Sequence, residues 1–227
     1  MSQKIAIIAA LPREVAALVR GVEPHVTFER RGILVYSLPN AVVVAGGMGS
    51  VRATLAFEAA RAVAPVEVVI STGLAGACSA GLAVGALAEA ATVIEARTGE
   101  RFSSDGVEFL DVLVSSESIA GVKEKARLAQ TYGATMVDME AATIARLAAA
   151  HGVGFRAIKA ISDGHEFEMP SLNKFVDHNG HFQTNAFARY TALRPQNWRK
   201  AMELGSASKH ALRQLHARLQ ELMAESK

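Results

Sequence analysis

The chain has 227 residues, half of them hydrophobic, a net charge of +2 and a single cysteine. That length suits one domain with a full core, and one thiol, Cys78, excludes an internal disulfide and a cysteine metal cluster. The apolar runs are broken by Gly and charge before they reach the ~20 residues of a membrane span, no signal-peptide cleavage pattern opens the chain, and a reduced, cytoplasmic setting is the expectation.

The net charge argues neither for nor against nucleic acid. No dense Lys/Arg block precedes the C-terminal region, so no nucleic-acid partner is expected. Residues 4–10 read as a buried strand, apolar on both faces from Ile5 onward. Pro12 suits the first turn of a helix, with Glu14 in that turn. Taken alone, Glu14 reads as a surface acid that complements the helix dipole. Residues 33–38 and 41–46 are apolar runs separated by Pro39-Asn40, which predicts a hairpin.

Gly46-Gly47-Met48-Gly49 follows and precedes a helical pattern over 51–63. Small residues there let the backbone approach a ligand, although a tight strand-to-helix turn would need them too. The Rossmann spacing, with its downstream acid, is not met. Residues 66–72 predict another buried strand, and Gly73, Gly76, Gly81 and Gly85 predict a glycine-rich connection after it. That connection is either a crowded turn or a backbone cradle for a ligand. Strands are expected over 87–94 and 109–114, with a polar loop or hairpin over 97–108. Residues 123–130 predict a short charged helix with a solvated face. The strand–helix alternation predicts an α/β fold.

Val137-Asp138-Met139-Glu140-Ala141-Ala142 reads as a helix start, with acids where the dipole favours them. The helix continues through Ile144, Leu147 and Ala148. Residues 155–161 form an apolar strand that runs into Ser162-Asp163, where α/β proteins bind ligands. The 164–205 segment then concentrates aromatics, among them Phe167, Phe175, Phe182, Phe187, Tyr190 and Trp198. It reads as an extra layer or an oligomer contact. Phe167 and Met169 are nearest to Asp163 and are assigned to the site, Trp198 to packing. Gly205 is expected to separate this extension from a last amphipathic helix over 206–223, with Leu212, Leu215, Leu219 and Leu222 on one stripe.

Four stretches together carry a resemblance. V-D-M-E-A-A with A-I-S-D is similar to the V-E-M-E-A and R-A-I-S-D pair of the methylthioadenosine/S-adenosylhomocysteine nucleosidases, within the purine nucleoside phosphorylase/uridine phosphorylase superfamily. Residues 5–15 resemble that family's first strand and glutamate, residues 46–49 its G-I-G turn, and Ser71-Thr72-Gly73-Leu74-Ala75-Gly76 its N-T-G-S-A-G. They occur in the same order. Pieces of the tail, together with Glu124-Lys125-Ala126-Arg127-Leu128, resemble the hopanoid-biosynthesis-associated phosphorylase branch. The fold this implies is a single-domain three-layer α/β/α sandwich around a mixed, partly barrel-like sheet, assembled as a homodimer or higher homo-oligomer.

The resemblance also implies a chemistry. The substrate would be a small-molecule nucleoside, handled without cofactor or metal. Cleaving its N-glycosidic bond requires a proton for the leaving base and stabilisation of an oxocarbenium-like sugar. Asp163 would be the general acid at purine N7, and Glu14 the acid that holds the attacking water. Glu140 would bind the ribose hydroxyls, with Met139 packed on the sugar. Asp138, Ser162, Gly73, Leu74, Ile119 and Lys159 would complete substrate binding, and Leu11 and Met48 would line an apolar 5′ pocket. That pocket suits a thioether or hydrocarbon substituent.

Some residues depart from the pattern. Leu74 replaces a Ser, Lys159 stands where an Arg precedes A-I-S-D, and Ile119 falls where a Phe stacks on the base. Ser71 occupies the position comparable to the Arg with which the phosphorylases bind phosphate; Arg13, Arg52 and Lys159 are the candidate substitutes. The expectation is hydrolysis of a 5′-modified adenosine, of methylthioadenosine/S-adenosylhomocysteine or adenosylhopane type. Phosphorolysis is one alternative. A nucleoside-binding protein without turnover is another, although such a protein would have lost acids that are all present here.

Overall fold

The computed structural model describes residues 5–106, 110–168, 172–177, 180, 182–192 and 198–225. The first strand, β1, spans Ile5–Ala9 and is buried at every position. Its side chains alternate between two cores, as the period of a strand requires. Ala6 and Ile8 join one core, and Ile5, Ile7 and Ala9 join the other. This double burial explains why the run carries no polar residue.

Pro12 opens only a 3-10 turn, Pro12–Glu14, and not the expected helix. The Glu14 carboxylate turns back to accept the N–H groups of Ala10 and Leu11, which a helix would have left to solvent or a cap. Helix α1 (Val26–Glu29) leads into the predicted hairpin of β2 (Leu34–Ser37) and β3 (Ala41–Ala45). Helix α2 (Ser50–Val63) follows the glycine turn, and β4 runs from Val68 to Ala77. Gly73 and Gly76 therefore lie inside a strand and not in a connection after it.

The single strand expected over 87–94 is two, β5 (Leu87–Ala90) and β6 (Thr92–Glu95), split at Ala91 because they pair with different partners. Strand β7 (Arg101–Ser103) closes a hairpin on β6. There follow β8 (Val112–Ser115), α3 (Val122–Tyr132), β9 (Met136–Asp138), α4 (Ala141–Ala150) and β10 (Gly154–Asp163). Two helices end the chain: α5 (Thr184–Ala192) and α6 (Trp198–Glu225).

These strands form one mixed ten-stranded sheet in the order β2-β3-β1-β4-β9-β8-β6-β7, with β10 added between β4 and β5. Residues Val68–Ser71 of β4 lie between β1 and β10, while its last two residues, Gly76 and Ala77, pair with β9. Only Ala91 separates β5 from β6, so the strands run β4-β10-β5, then β6-β8-β9, and return to β4. This circuit is the barrel-like part of the sheet.

Helices α2 and α4 cover one face through Ala53, Phe57, Ile144 and Ala148. Helix α6 covers the other through Leu212, Leu215, Leu219 and Leu222. The leucine stripe is as expected, but the helix begins at Trp198 and not at residue 206, and passes through Gly205. A mid-helix glycine costs about 1 kcal/mol relative to Ala, less than the buried stripe returns. No described helix is long and apolar enough to cross a membrane.

Candidate active site

One cavity collects the C-terminal ends of β1, β4, β9 and β10, the place where the sheet runs out of hydrogen-bond partners and exposes backbone to a ligand. Leu11 and Glu14 enter from the turn after β1, and Leu74 and Gly76 from β4. Asp138, Met139 and Glu140 enter from the β9–α4 junction, and Ser162 and Asp163 from the end of β10. Arg13, Met48 and Ile119 complete the part of the lining that sequence reading had named. Gly73 and Lys159 stand behind the wall.

Glu14 is 3% exposed. One oxygen accepts the N–H of Ala10 at 3.1 Å and of Leu11 at 2.9 Å; the other accepts that of Leu74 at 3.3 Å. Burial raises its pKa above the usual carboxylate range, against the pull of the Leu11 and Leu74 N–H groups and of Lys159 and Arg13. Gly73 makes this geometry possible. A Cβ there would come 2.7 Å from Glu14 Oε2, and its φ of +116° is one that side-chain-bearing residues rarely adopt.

Glu140 stands at the N-cap position of α4, and its carboxylate accepts the Gly49 N–H at 2.7 Å. Burial, reinforced by the Asp138 charge, pushes its pKa up to about 8, against Lys159 and the Gly49 N–H. Asp138 is the last residue of β9 and is fully engaged. It accepts from Ser115 Oγ at 2.6 Å and from the Ala141 N–H at 3.0 Å, and pairs with Lys159 Nζ at 2.8 Å. Lys159 also donates to Ser71 Oγ and the Thr72 carbonyl. It is 1% exposed and acts on the cavity through its field, not by contact.

Asp163 carries a partner that sequence reading missed. Lys125 Nζ donates to Asp163 Oδ2 and, at 2.8 Å, to the Gly164 carbonyl. The expected solvated face of α3 is real for Lys123 and Arg127, but Lys125 points inward and is 1% exposed. Ser162 Oγ lies 2.6 Å from Asp163 Oδ1 and 3.2 Å from the Ala75 carbonyl oxygen. Gly76 is the counterpart of Gly73: a Cβ there would stand 3.0 Å from Asp163 Oδ2. The two carboxylates thus sit against glycines three residues apart on β4, roughly 10 Å along a strand.

Arg52 does not reach the cavity. Its guanidinium donates to the Gly46, Arg31 and Gly32 carbonyls and ties the glycine turn to the α1–β2 connection. Arg13 does line the cavity. The loop bearing Ile119 is pinned by Asn173, whose side-chain amide bonds both the N–H and the C=O of Ile119, at 2.9 and 3.0 Å. In the aromatic segment, Phe175 packs on Phe187 and Tyr190, and Phe187 packs on Phe182. Leu172 and Phe182 from that segment line the cavity, as do Leu204 and Ser208, one turn apart on α6. Phe167 does not, contrary to expectation, while Met169 and the Trp198 side chain fall outside the described residues. Among the described residues, no three His, Cys, Asp or Glu side chains cluster to hold a metal ion.

The family model of the phosphorylase superfamily matches residues 4–112 and 98–193. The chain belongs to the phosphorylase superfamily. Its similarity to solved superfamily structures spans organisms. Native futalosine hydrolase of Helicobacter pylori strain 26695 is 18% identical, covers 100% of this chain and 99% of its own, and has a TM-score of 0.69. The 5′-methylthioadenosine/S-adenosylhomocysteine nucleosidase of Helicobacter pylori, with butyl-thio-DADMe-Immucillin-A, is 17% identical over 97% of this chain and 99% of that one, with a TM-score of 0.66. The Neisseria meningitidis nucleosidase with methylthio-immucillin-A is 24% identical over 72% and 88%, with a TM-score of 0.62. At these identities the likeness is one of fold. No curated protein matches the chain.

Proposed function

We propose that this superfamily member is a nucleosidase that hydrolyses the N-glycosidic bond of a 5′-modified adenosine and releases adenine. The observation that carries the reading is the pair of carboxylates, Glu14 and Asp163, set against Gly73 and Gly76 on one strand beside a single cavity. Roughly 10 Å of strand leaves room for a sugar and a base between them. Asp163 serves the leaving base. Glu14, with a raised pKa and its oxygens aimed by backbone N–H groups, holds a water and takes its proton as the water attacks C1′. Glu140 takes the ribose hydroxyls, and Met139 covers the sugar. Leu11, Met48, Phe182 and Leu204 supply apolar lining for a thioether or hydrocarbon 5′ substituent.

Water is favoured over phosphate by how the cations are spent. Lys159 is paired with Asp138, Lys125 with Asp163, and Arg52 is bound to backbone carbonyls. Two described cations line the cavity, Arg13 and Lys125, and Lys125 is held by Asp163, which leaves Arg13 to offset the repulsion between Glu14 and a phosphate dianion. The test is product analysis in phosphate-free buffer with methylthioadenosine, S-adenosylhomocysteine, adenosine and inosine. Free sugar product, with no acceleration by phosphate, is expected. Strict phosphate dependence and a sugar 1-phosphate would make the protein a phosphorylase. Binding of every nucleoside with no base released would make it a binding protein of the same fold.

A further inference from the structure

Lys125 has no part in the reaction just described. It stands on α3, where Lys123 and Arg127 face water and Arg127 pairs with Glu124 at 2.6 Å. Two residues along a helix are about 200° apart, so Lys125 lies on the opposite side from those two, with buried Leu128. Burying an ammonium costs several kcal/mol unless it is paired and hydrogen-bonded. Lys125 meets both conditions, through Asp163 Oδ2 and the Gly164 carbonyl. Gly76 leaves the space for it: a Cβ there would stand 3.0 Å from Lys125 Cε and 3.0 Å from Asp163 Oδ2. Helix α3, β4 and β10 converge on this one contact, at the cavity lining.

The contact bears on the chemistry. Asp163 accepts an ammonium N–H on one oxygen and has the Ser162 hydroxyl 2.6 Å from the other. That is the surrounding of an acceptor, whereas departure of a purine requires a donor. The adjacent group that carries a transferable proton is the ammonium. We infer that Lys125 holds the proton that Asp163 passes to the leaving base, an inference that rests on the nucleosidase reading.

The C1′–N9 bond breaks, and its electron pair stays with the base. The Asp163 carboxylate takes a proton from Lys125 Nζ and passes one to N7, so Asp163 ends as it began, a carboxylate, and Lys125 becomes a neutral amine still able to donate to the Gly164 carbonyl. Water forms the new bond to C1′ and gives its proton to Glu14. After release, Glu14 loses one proton to solvent and Lys125 regains one. Lys125 acts through Asp163 and is a positioning residue that also stores charge.

Two variants and two leaving groups separate this from a merely structural ion pair. Lys125→Arg keeps the charge, but a guanidinium does not give up its proton. Lys125→Met keeps the stem and loses the charge. On a 5′-modified adenosine, both variants are expected to lose about 10²-fold or more in kcat, the scale of general acid catalysis, with KM little changed. On a nitrophenyl riboside, whose leaving group departs without a proton, both should stay near the wild-type rate. Recovery of the wild-type rate by Lys125→Arg on the adenosine substrate would overturn the inference, since charge alone would then suffice. Parallel losses on both substrates would overturn it too, as the mark of a misplaced site.

The wild-type protein gives a second test that needs no variant to fold. Its proton inventory in mixed light and heavy water should be curved for the adenosine substrate, with more than one proton in flight. A linear inventory would overturn the inference. Release of no base from any nucleoside by the wild-type protein would instead overturn the nucleosidase reading, and this inference with it.

Discussion

Glu140 Oε1 accepts the backbone N–H of Gly49 at 2.7 Å, across 91 residues of sequence. The contact joins the cap of α4 to the glycine turn before α2 and fixes one carboxylate oxygen. Because burial and Asp138 push the pKa of Glu140 to about 8, the group carries a proton at neutral pH in the unliganded protein. Ribose hydroxyls donate more strongly to an ionised carboxylate than to a neutral one. The KM for a ribonucleoside should therefore fall as pH rises from about 6 to 9, through that pKa. A 2′-deoxy substrate should show a shallower fall. Equal pH dependence for both sugars would remove Glu140 from the ribose.

The same shift has a consequence for stability. Unfolded, Glu140 releases its proton near 4.5; folded, it keeps it to about 8. Between those values the native state binds more protons, so this group's contribution to stability falls as pH rises and is at its lowest above 8. Glu140→Gln removes the titration. Thermal midpoints should rise for the variant at alkaline pH, at about 2–4 °C per kcal/mol, and match the wild type near pH 4. A variant that is less stable than the wild type at alkaline pH would contradict the sign.

Asp163→Asn keeps the shape and loses the proton path. Turnover of adenine nucleosides should drop by about 10²–10⁴-fold, with binding affected far less. Because Lys125 then lacks its carboxylate partner, some loss of thermal stability is also expected. Near-wild-type turnover of a substrate with a poor leaving group would exclude Asp163 from proton transfer.

Glu14→Gln should abolish turnover and leave adenine binding intact, by steady-state assay and calorimetry. Gly73→Ala should reproduce much of that loss from outside the cavity, because its Cβ would stand 2.7 Å from Glu14 Oε2 at a φ of +116°. The added backbone strain should lower stability by about 1–3 kcal/mol. A fully active Gly73→Ala variant would mean that Glu14 need not stay where it is.

Leu219 is fully buried between α6 and the sheet. Leu219→Ala should cost about 2–5 kcal/mol in denaturant unfolding. α6 also brings Leu204 and Ser208 to the cavity, so a rise in KM for long apolar 5′ substituents should accompany the loss. A loss below 1 kcal/mol would show that the leucine stripe is not part of the folded core.

Local pattern carried much of the architecture. The all-apolar run at residues 5–9, the hairpin around Pro39-Asn40 and the leucine period of α6 were legible because a strand or helix shows its period within a few residues. The acids at positions 14, 140 and 163 were legible only through the order of four motifs, since each alone reads as an ordinary helix-start or strand-end residue. Their convergence on one cavity belongs to the tertiary structure, which brings the ends of β1, β9 and β10 together. What turns on chain crossings was not legible. Gly73 and Gly76 read as a loop because glycine marks turns, but β10 pairs with them and carboxylates fill the space their missing side chains leave. Arg52 read as a cleft cation, and instead three carbonyls from the α1–β2 connection and the glycine turn hold it. Lys125 read as one charge among several on a solvated helix. Helical period places it opposite Lys123 and Arg127, but only the arrival of Asp163 from β10, 38 residues later in the chain, makes burying that ammonium tolerable.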